Sequence, residues 1–491
     1  MNRVLSFALL GAATALAGCT VGPDYRPATT ESLGVPDSYS VGDVATREDL
    51  TTWWTRFDDS MLQQLVSEAR TTNLDVAQAI ARLRQAREGL VQSRANLLPS
   101  VSGSGGYSRR EPITGGTSTT TLPDGTIIST GAGSSDSFSI GADASWQADI
   151  FGGNRRGVEA SRAALEAAGY DYAAILVAIQ GEIARNYILA RANQAQLDNA
   201  RATLAIQDDN LEIAGFRVQA GLVSSIDVEQ ARVQRAQTAA SIPSIESAYA
   251  SAVARLGVLT GRAPGALRTQ LAAVRPIPTG PASVGVGIPA DTLRQRPDVR
   301  VAERNLAAAV AQIGVAEAQL YPQLSLGGSI DTSANALDAI GDIITGRIFS
   351  NIAQLIFDAG RTRSQVRSQQ AAADAALANY RQTALTALED VENAVVSLDA
   401  AQRREREFAI ALDAATNSAL LSRLQYQSGL TDFTTLNQVE SSLLSARNGV
   451  TQARADQATA LIQLYTALGG GWDETQITDP APVAVLVEGS N

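Results

Sequence analysis

From Phe138 to Ile150 apolar and polar residues alternate without a break. Phe138, Ile140, Ala142, Ala144, Trp146, Ala148 and Ile150 share one face, while the intervening serines, Gly141, Gln147, Asp143 and Asp149 share the other. Alternation over about ten residues is the pattern of a transmembrane β-strand with lipid on one side and water on the other. Its partner is predicted over 101–110, where Val101 and Tyr107 share a face with glycines. The second half of the chain offers Leu324 to Ile330 and Ile348 to Phe357. In the latter the alternation weakens, and Ile348 and Phe349 are both candidates for burial. Any one of these strands also fits a half-buried soluble sheet; four hairpin-forming segments together favour the membrane. The stretches Gly115 to Ser135 and Thr332 to Gly346 are then exposed loops. Four strands cannot close a barrel, and open edges are not tolerated in lipid. A barrel must be shared between copies: two give eight strands and three give twelve, and the pattern does not choose.

The helical segments carry a different period. Arg361 to Ser428 holds neither Gly nor Pro over 68 residues, which is ~100 Å of helix at 1.5 Å per residue. Asn154 to Gln219 is similar in length but contains Gly157, Gly169, Gly181 and Gly215. Large apolar residues fall in narrow stripes at i, i+3/i+4 spacing: Leu388, Val391, Val395 and Leu398, then Phe408, Leu412, Leu420 and Leu424. The flanks are Ala, Gln, Arg, Asp and Glu. A narrow seam with wide polar flanks suits a thin hollow wall or a coiled-coil rod. Gly221 and Gly429 interrupt the helices, and Ser224 and Asp432, three residues on, are N-cap types for the returning helices.

These features occur twice. Asp75-Val76 corresponds to Asp298-Val299, and Leu97-Leu98-Pro99 to Leu320-Tyr321-Pro322. Phe151 to Arg155 corresponds to Phe357 to Arg361, Gln219 to Leu222 to Gln427 to Leu430, and Leu259-Thr260-Gly261 to Ala467-Leu468-Gly469. Each repeat reads helix, β-hairpin, very long helix, glycine turn, helix. The first occupies 73–261 (β-hairpin 101–150) and the second 298–472 (β-hairpin 324–357). A Pro/Gly-rich linker spans 262–297, an initial segment with a first helix spans 19–72, and a polar tail expected to be disordered spans 473–491.

Composition narrows the chemistry. All 39 basic side chains are arginine, against 50 Asp and Glu, and there is no histidine and one cysteine. Without histidine the usual proton-transfer group is missing. Without lysine there is no Schiff base, and with one cysteine no intramolecular disulfide or thiolate cluster. Nothing suggests a cofactor or a metal. The net charge of −11 argues against nucleic acid. The N-terminus, Met1-Asn2-Arg3 followed by the apolar run Val4 to Leu16, reads as a secretory signal over 1–18. Leu16-Ala17-Gly18-Cys19 resembles a bacterial lipobox, which implies cleavage before Cys19 and lipid attachment to it. Thr20 in the following position favours the outer membrane. No other apolar stretch is expected to be long enough for a spanning helix.

Together the residues resemble the outer-membrane efflux channel family, TolC-like, in its lipoprotein NodT-type branch. Cys19 to Tyr25, Trp53-Trp54 through Phe57, and Asn73-Leu74-Asp75 are similar to that branch. So are Ile288-Pro289, Leu293, Arg296-Pro297-Asp298-Val299, Ala302-Glu303, Ile313-Gly314 and Tyr321-Pro322. The resemblance implies a mainly α chain with a membrane β portion. Internally duplicated helical hairpins would form a periplasmic α-barrel, and four strands per chain would contribute to a twelve-strand outer-membrane β-barrel shared by a homotrimer. It implies a passive, non-enzymatic conduit for small molecules. The partners would be a periplasmic adaptor (membrane fusion) protein and an inner-membrane pump of RND type, with the channel lipid-anchored in the outer membrane and reaching far into the periplasm.

Carried to this chain, adaptor contacts fall on the hairpin tips at Phe216, Gln219, Gly221, Val223 and Ser224, and at Tyr426, Gln427, Gly429 and Asp432. A periplasmic aperture falls on Asp432, Thr434, Gln438 and Glu440. Gln438 stands where relatives usually place a constricting aspartate, so hydrogen bonds rather than charge are expected to hold the aperture closed. Two other readings share part of the pattern: an adaptor lipoprotein, which would have one hairpin and a β-rich C-terminal half, and the outer-membrane component of type I protein secretion. An envelope hydrolase using paired carboxylates would need acidic residues clustered in a cleft, whereas here they lie along helices. The transported substrate is not legible.

Overall fold

A computed structural model describes residues 20–40, 49–114, 117–131, 134–281 and 283–478. The expected signal peptide over 1–18, Cys19 and the tail beyond 478 lie outside these described residues. The chain divides into two compact units. One draws on 1–26, 86–165 and 305–377, the other on 27–85, 166–304 and 378–491. The elements recur in the order expected of a duplication. After α1 (Ser60–Thr72) come α2 (Leu74–Ala95), β1 (Ser100–Arg110), β2 (Thr117–Thr121), β3 (Ile127–Gly131), β4 (Ser135–Ala148), α3 (Gly153–Gln219) and α4 (Ser225–Leu259). Two short helices, α5 (Arg268–Leu271) and α6 (Pro289–Gln295), lie in the linker. Then follow α7 (Pro297–Ala318), β5 (Gln323–Ala334), β6 (Ile344–Ala353), α8 (Arg361–Gln427), α9 (Phe433–Ala467) and α10 (Glu474–Thr478).

The first unit is built on an antiparallel sheet in the order β1-β4-β5-β6. The pairing of β1 with β4 matches the sequence reading, with Val101 opposite Ala144 and Tyr107 opposite Phe138. Three readings of the β segments differ. β6 starts at Ile344 and stops at Ala353, short of Phe357. Neither Ile348 nor Phe349 is buried, at 96% and 55% exposed, because adjacent strand residues point to opposite faces. The stretch from Gly115 to Ser135 is not merely a loop: its Thr-rich arm and Ile127–Gly131 pair as a separate hairpin, β2–β3, around the Asp124-Gly125 turn, where Gly125 has φ +83°.

The second unit is helical. α3 and α8 are each 67 residues long, ~100 Å of continuous helix. Two of the glycines inside α3 have packing reasons, whereas Gly157 and Gly215 face open space. A Cβ at Gly169 would collide with Ile477, and one at Gly181 with Thr466. Trp53 stacks on Tyr465 with ring centroids 5.3 Å apart and meets Phe57 edge-on at 6.1 Å, and these rings, like Leu62 and Leu256, are almost wholly buried. The α8 seam is buried at Leu388, Val391 and Leu398. Nearer the tip the expected stripe fails: Leu420 and Leu424 are 56% and 53% exposed, and the inward positions are Ala419, Ser422 and Tyr426. A single chain gives this stretch of helix too few neighbours to cover both stripes. The tail also departs from expectation at its start. Asp473 caps α10 by accepting from the Thr475 and Gln476 amides, and Ile477 packs on the Ala173, Val177 and Trp472 cluster. Contrary to the sequence reading, α3 holds one stretch apolar and long enough to cross a membrane. Of that stretch, 61% is buried within the protein.

Candidate functional site

Register turns the sheet into two surfaces of opposite character. One row reads Gly103, Ala142, Ile330 and Gly346 across the four strands; the next reads Val101, Ala144, Gly328 and Ile348. On the opposite face the rows read Ser102, Asp143, Ser329, Arg347 and Ser104, Gly141, Asp331, Thr345. The apolar face is bounded by aromatic residues, as an interfacial girdle would be. Tyr107 and Phe138 meet at 4.9 Å towards one end. Near the other, Trp146 donates its indole N–H to Leu97 O at 3.0 Å, and Phe151 stacks on Tyr321 at 4.7 Å.

At that second end the N-terminal segment is held in place. Arg156 on α3, buried to 5% exposure, donates to Val21 O at 3.1 Å, to Gly22 O at 3.1 Å and to the Asp24 carboxylate at 2.7 Å. Gly22 (φ +91°) lies against Gly314, and Gly152 (φ +79°) lies against Thr20, with no room for a Cβ at either glycine. The residue after Cys19 is thus fixed beside the junction between the sheet and α3. Cys19 itself is outside the described residues.

Both hairpin tips are built alike. Gly221 and Gly429 each take φ +71°. The amides of Leu222 and Leu430 reach back to Arg217 O and Gln425 O, both at 2.9 Å, closing Schellman turns. Ser224 and Asp432 cap the returning helices by accepting from the Ile226 and Thr435 amides at 3.3 and 2.7 Å. The Thr435 amide, followed by its hydroxyl, holds the Asp432 carboxyl below its ordinary value. Phe216, Gln219, Gly221, Ser224, Gln427, Gly429 and Asp432 are exposed, and Val223 is half-buried.

Tyr426 is not at the surface. It is 2% exposed and sits in a cluster with Ala231, Phe433 and Leu436. The Arg217 guanidinium lies 4.6 Å over its ring and donates to its carbonyl at 3.1 Å. Of the aperture candidates, Asp432, Thr434 and Gln438 are exposed, and Thr434 donates its hydroxyl to Gln230 Oε1 at 3.3 Å. Glu440 departs from expectation: it is 4% exposed and grips Arg423 through both carboxylate oxygens. A carboxylate consumed in that pair is structural rather than pore-lining. Between α4 and α9 at the tip runs an open groove of about 470 Å³ that includes Ile226, Gln230, Val233, Thr434 and Asn437.

Sequence reasoning missed Arg156, Arg217 and Arg423, since an arginine in a helix looks alike whether it is solvated or bonded across the fold. It also missed Phe349, whose ring lies over Gly327 on the neighbouring strand, where a Cβ would collide with it. The signal was present, because glycine inside a strand marks close approach of another group. Among the described residues no group of three or more His, Cys, Asp or Glu side chains is arranged to hold a metal ion.

The sequence profile of a family described as outer membrane efflux protein matches residues 65–262 and 288–470. Nodulation protein T of Rhizobium leguminosarum bv. trifolii is 32% identical over 470 residues, covering 93% of this chain and 96% of that one. The pyoverdine export outer membrane protein OpmQ of Pseudomonas aeruginosa is 30% identical over 429 residues, covering 86% and 88%. Among solved structures, the outer-membrane channel OprN superposes with a TM-score of 0.81 at 32% identity, covering 92% of this chain and all of that one.

Proposed function

The chain belongs to the outer membrane efflux protein family, and from that premise we propose that it is the outer-membrane channel of a tripartite efflux system. It is a passive conduit, not an enzyme. Three copies would close a twelve-strand barrel, with the apolar face of the sheet against lipid and the serine-rich face around water. The observation that carries this reading is the two-faced sheet with free edges at β1 and β6. A sheet apolar on one face and hydrated on the other, open at both ends, is complete only when copies of it join.

Cys19 would carry the lipid, and the Arg156 clamp on 21–24 supports this by keeping the anchor beside the strand ends. The exposed tip residues Phe216, Gln219, Ser224, Gln427 and Asp432, with the half-buried Val223, would meet a periplasmic adaptor, itself joined to an RND-type inner-membrane pump. Tyr426 would shape that surface from beneath. Asp432, Thr434 and Gln438 would line the aperture, closed at rest by hydrogen bonds of the Thr434–Gln230 kind. Purified protein in planar bilayers is expected to open ion-conducting pores and to cross-link as a trimer. A monomer without conductance would overturn the reading, and murein hydrolysis would replace it with a hydrolase.

A further inference from the structure

One large apolar side chain breaks the polarity of the water-facing strand surface. Along β6 that face carries Thr345, Arg347, Phe349 and Asn351. Phe349 is 55% exposed, and the Cζ and Cε atoms of its ring lie over Gly327 of β5, which is its cross-strand partner. The ring is therefore laid along the wall rather than standing in the channel, and Gly327 makes the room. An aromatic face turned to water attracts flat apolar groups and, through its quadrupole, cations.

The charge beside the ring has a matching sign. One row along from the Gly327–Phe349 pair, Asp143 stands on β4, and one row further Asp331 stands on β5. Successive rows on one face are ~6.8 Å apart and neighbouring strands ~4.8 Å, so from Gly327 beneath the ring Asp143 stands ~8 Å away, within about a Debye length, and Asp331 ~14 Å away, beyond one. Both are exposed. Arg347, as near to Gly327 as Asp143 is, is the one cation in these rows, and the three charges together leave a net excess of one negative charge per chain. Arg110, the other cation on this face, is opposite Ser135 at the far end of β1, about 34 Å along the strands from the Phe349 row.

We propose that Phe349, seated on Gly327 and flanked by Asp143 and Asp331, forms a contact site for planar organic cations on the channel wall. The site rests on the reading of this face as the pore lining. Closure of the barrel by three copies repeats it three times at one height. Each contact is weak, which suits a conduit: cargo is held against the wall and released.

The test is block of the ion current in planar bilayers by two probes, ethidium, a planar aromatic cation, and tetraethylammonium, a non-aromatic one. In the native channel ethidium is expected to block at a lower concentration than tetraethylammonium. Phe349→Leu should raise the half-blocking concentration of ethidium about fivefold and that of tetraethylammonium by less, since the latter loses only the cation–π contact and not the ring stacking, while Phe349→Tyr keeps the native preference. Asp143→Asn and Asp331→Asn should weaken block by both cations, and Arg347→Gln should strengthen it. Native ethidium block in Phe349→Leu overturns the proposal. If that variant forms no channels, equal block by both probes in the native and Phe349→Tyr channels overturns it instead. Native protein that never conducts would remove the channel reading itself, a different outcome from conduction without selective block.

Discussion

Asn73 and Arg296 occupy the same position in the two halves of the duplicated chain and make the same bond with different chemistry. Asn73 Nδ2 donates to Leu259 O at 2.8 Å, and Arg296 Nη1 donates to Ala467 O at 3.0 Å. Leu259 and Ala467 are themselves equivalent, each two residues before a left-handed glycine, Gly261 at φ +69° and Gly469 at φ +73°. Both bonds tie the last turn of a returning helix to a side chain just before the first long helix of its own half. Asn73 also caps α2, its Oδ1 accepting from the Asp75 and Val76 amides at 2.8 and 3.0 Å. Arg296 adds ion pairs with Asp298 at 2.7 Å and Asp390 at 3.0 Å.

Substitutions at these two positions should therefore be costly and unequal. Arg296→Ala should destabilise the helical unit by ~2–3 kcal/mol, the low end for a broken buried pair because both aspartates keep partial access to water. Asn73→Ala should cost ~2 kcal/mol, from one cap and one bond to a carbonyl. Arg296→Lys should rescue little, since one ammonium cannot satisfy two carboxylates and a carbonyl in fork geometry. Denaturation of the variants in detergent, followed by helical circular dichroism, measures all three. Full rescue by lysine would refute the geometric argument.

The Arg423–Glu440 pair predicts an asymmetry. Glu440 is shut away from water, while the Arg423 side chain keeps 32% exposure. Arg423→Ala strands a buried carboxylate and should cost ~3 kcal/mol. Glu440→Gln leaves an arginine that water can still reach and should cost ~1 kcal/mol. Equal losses in the two variants would mean that the pair behaves as a surface ion pair.

Tyr187 makes stability sensitive to alkali. Its hydroxyl donates to Asp59 at 2.8 Å. Burial above all, with a contribution from that carboxylate, pushes its pKa up to about 12, against the lowering effect of Arg191. The folded state thus holds the proton more tightly than the unfolded chain, whose tyrosines ionise near pH 10. The stabilisation is complete below about pH 10 and is lost as pH rises towards 12, on the order of 2 kcal/mol. Tyr187→Phe should flatten part of the loss of stability between pH 10 and 12. An unchanged profile would assign that loss to the other buried tyrosines.

At the aperture, Gln438→Ala and Thr434→Ala should raise single-channel conductance by removing neutral hydrogen-bonding groups. Asp432→Asn, which keeps an N-cap acceptor, should change conductance less than Asp432→Ala, which loosens the tip. Because the Thr435 amide and hydroxyl hold the Asp432 carboxyl low, its contribution to the tip is intact above the unfolded carboxylate range and is lost as pH falls below that range through the lower folded value. Conductance of all the variants at the native level would remove Asp432, Thr434 and Gln438 from the gate.

Much of this architecture was legible because period and punctuation are local. The alternation at Phe138 to Ile150, the uninterrupted run after Arg361 and the glycines at 221 and 429 each dictate backbone geometry within a few residues. What was not legible depends on contacts far along the chain. Nothing near Glu440 shows that Arg423 will bury it, and nothing near Tyr426 shows that Arg217 will cover its ring. The Leu420–Leu424 stripe misleads for a related reason. Spacing reports that a face will be covered, but not whether the cover comes from the same chain. On the reading of a shared barrel proposed above, the exposed stripe and the apolar sheet face would be covered by neighbouring copies and by lipid.

The free edges of β1 and β6 also set the kinetics of biogenesis. A lone sheet has no resting place in the bilayer, because each edge strand would carry unbonded amides and carbonyls into hydrocarbon. If copies share the barrel as proposed, insertion is a multimolecular reaction, with edge bonds between copies formed as the strands enter. The rate should climb steeply with local protein concentration and stall when copies are scarce. Gly- and Ser-rich strands, whose register is only weakly fixed by their own side chains, lengthen that search. Tethering each copy to the membrane surface before the strands enter would raise the encounter rate by confining the search to two dimensions.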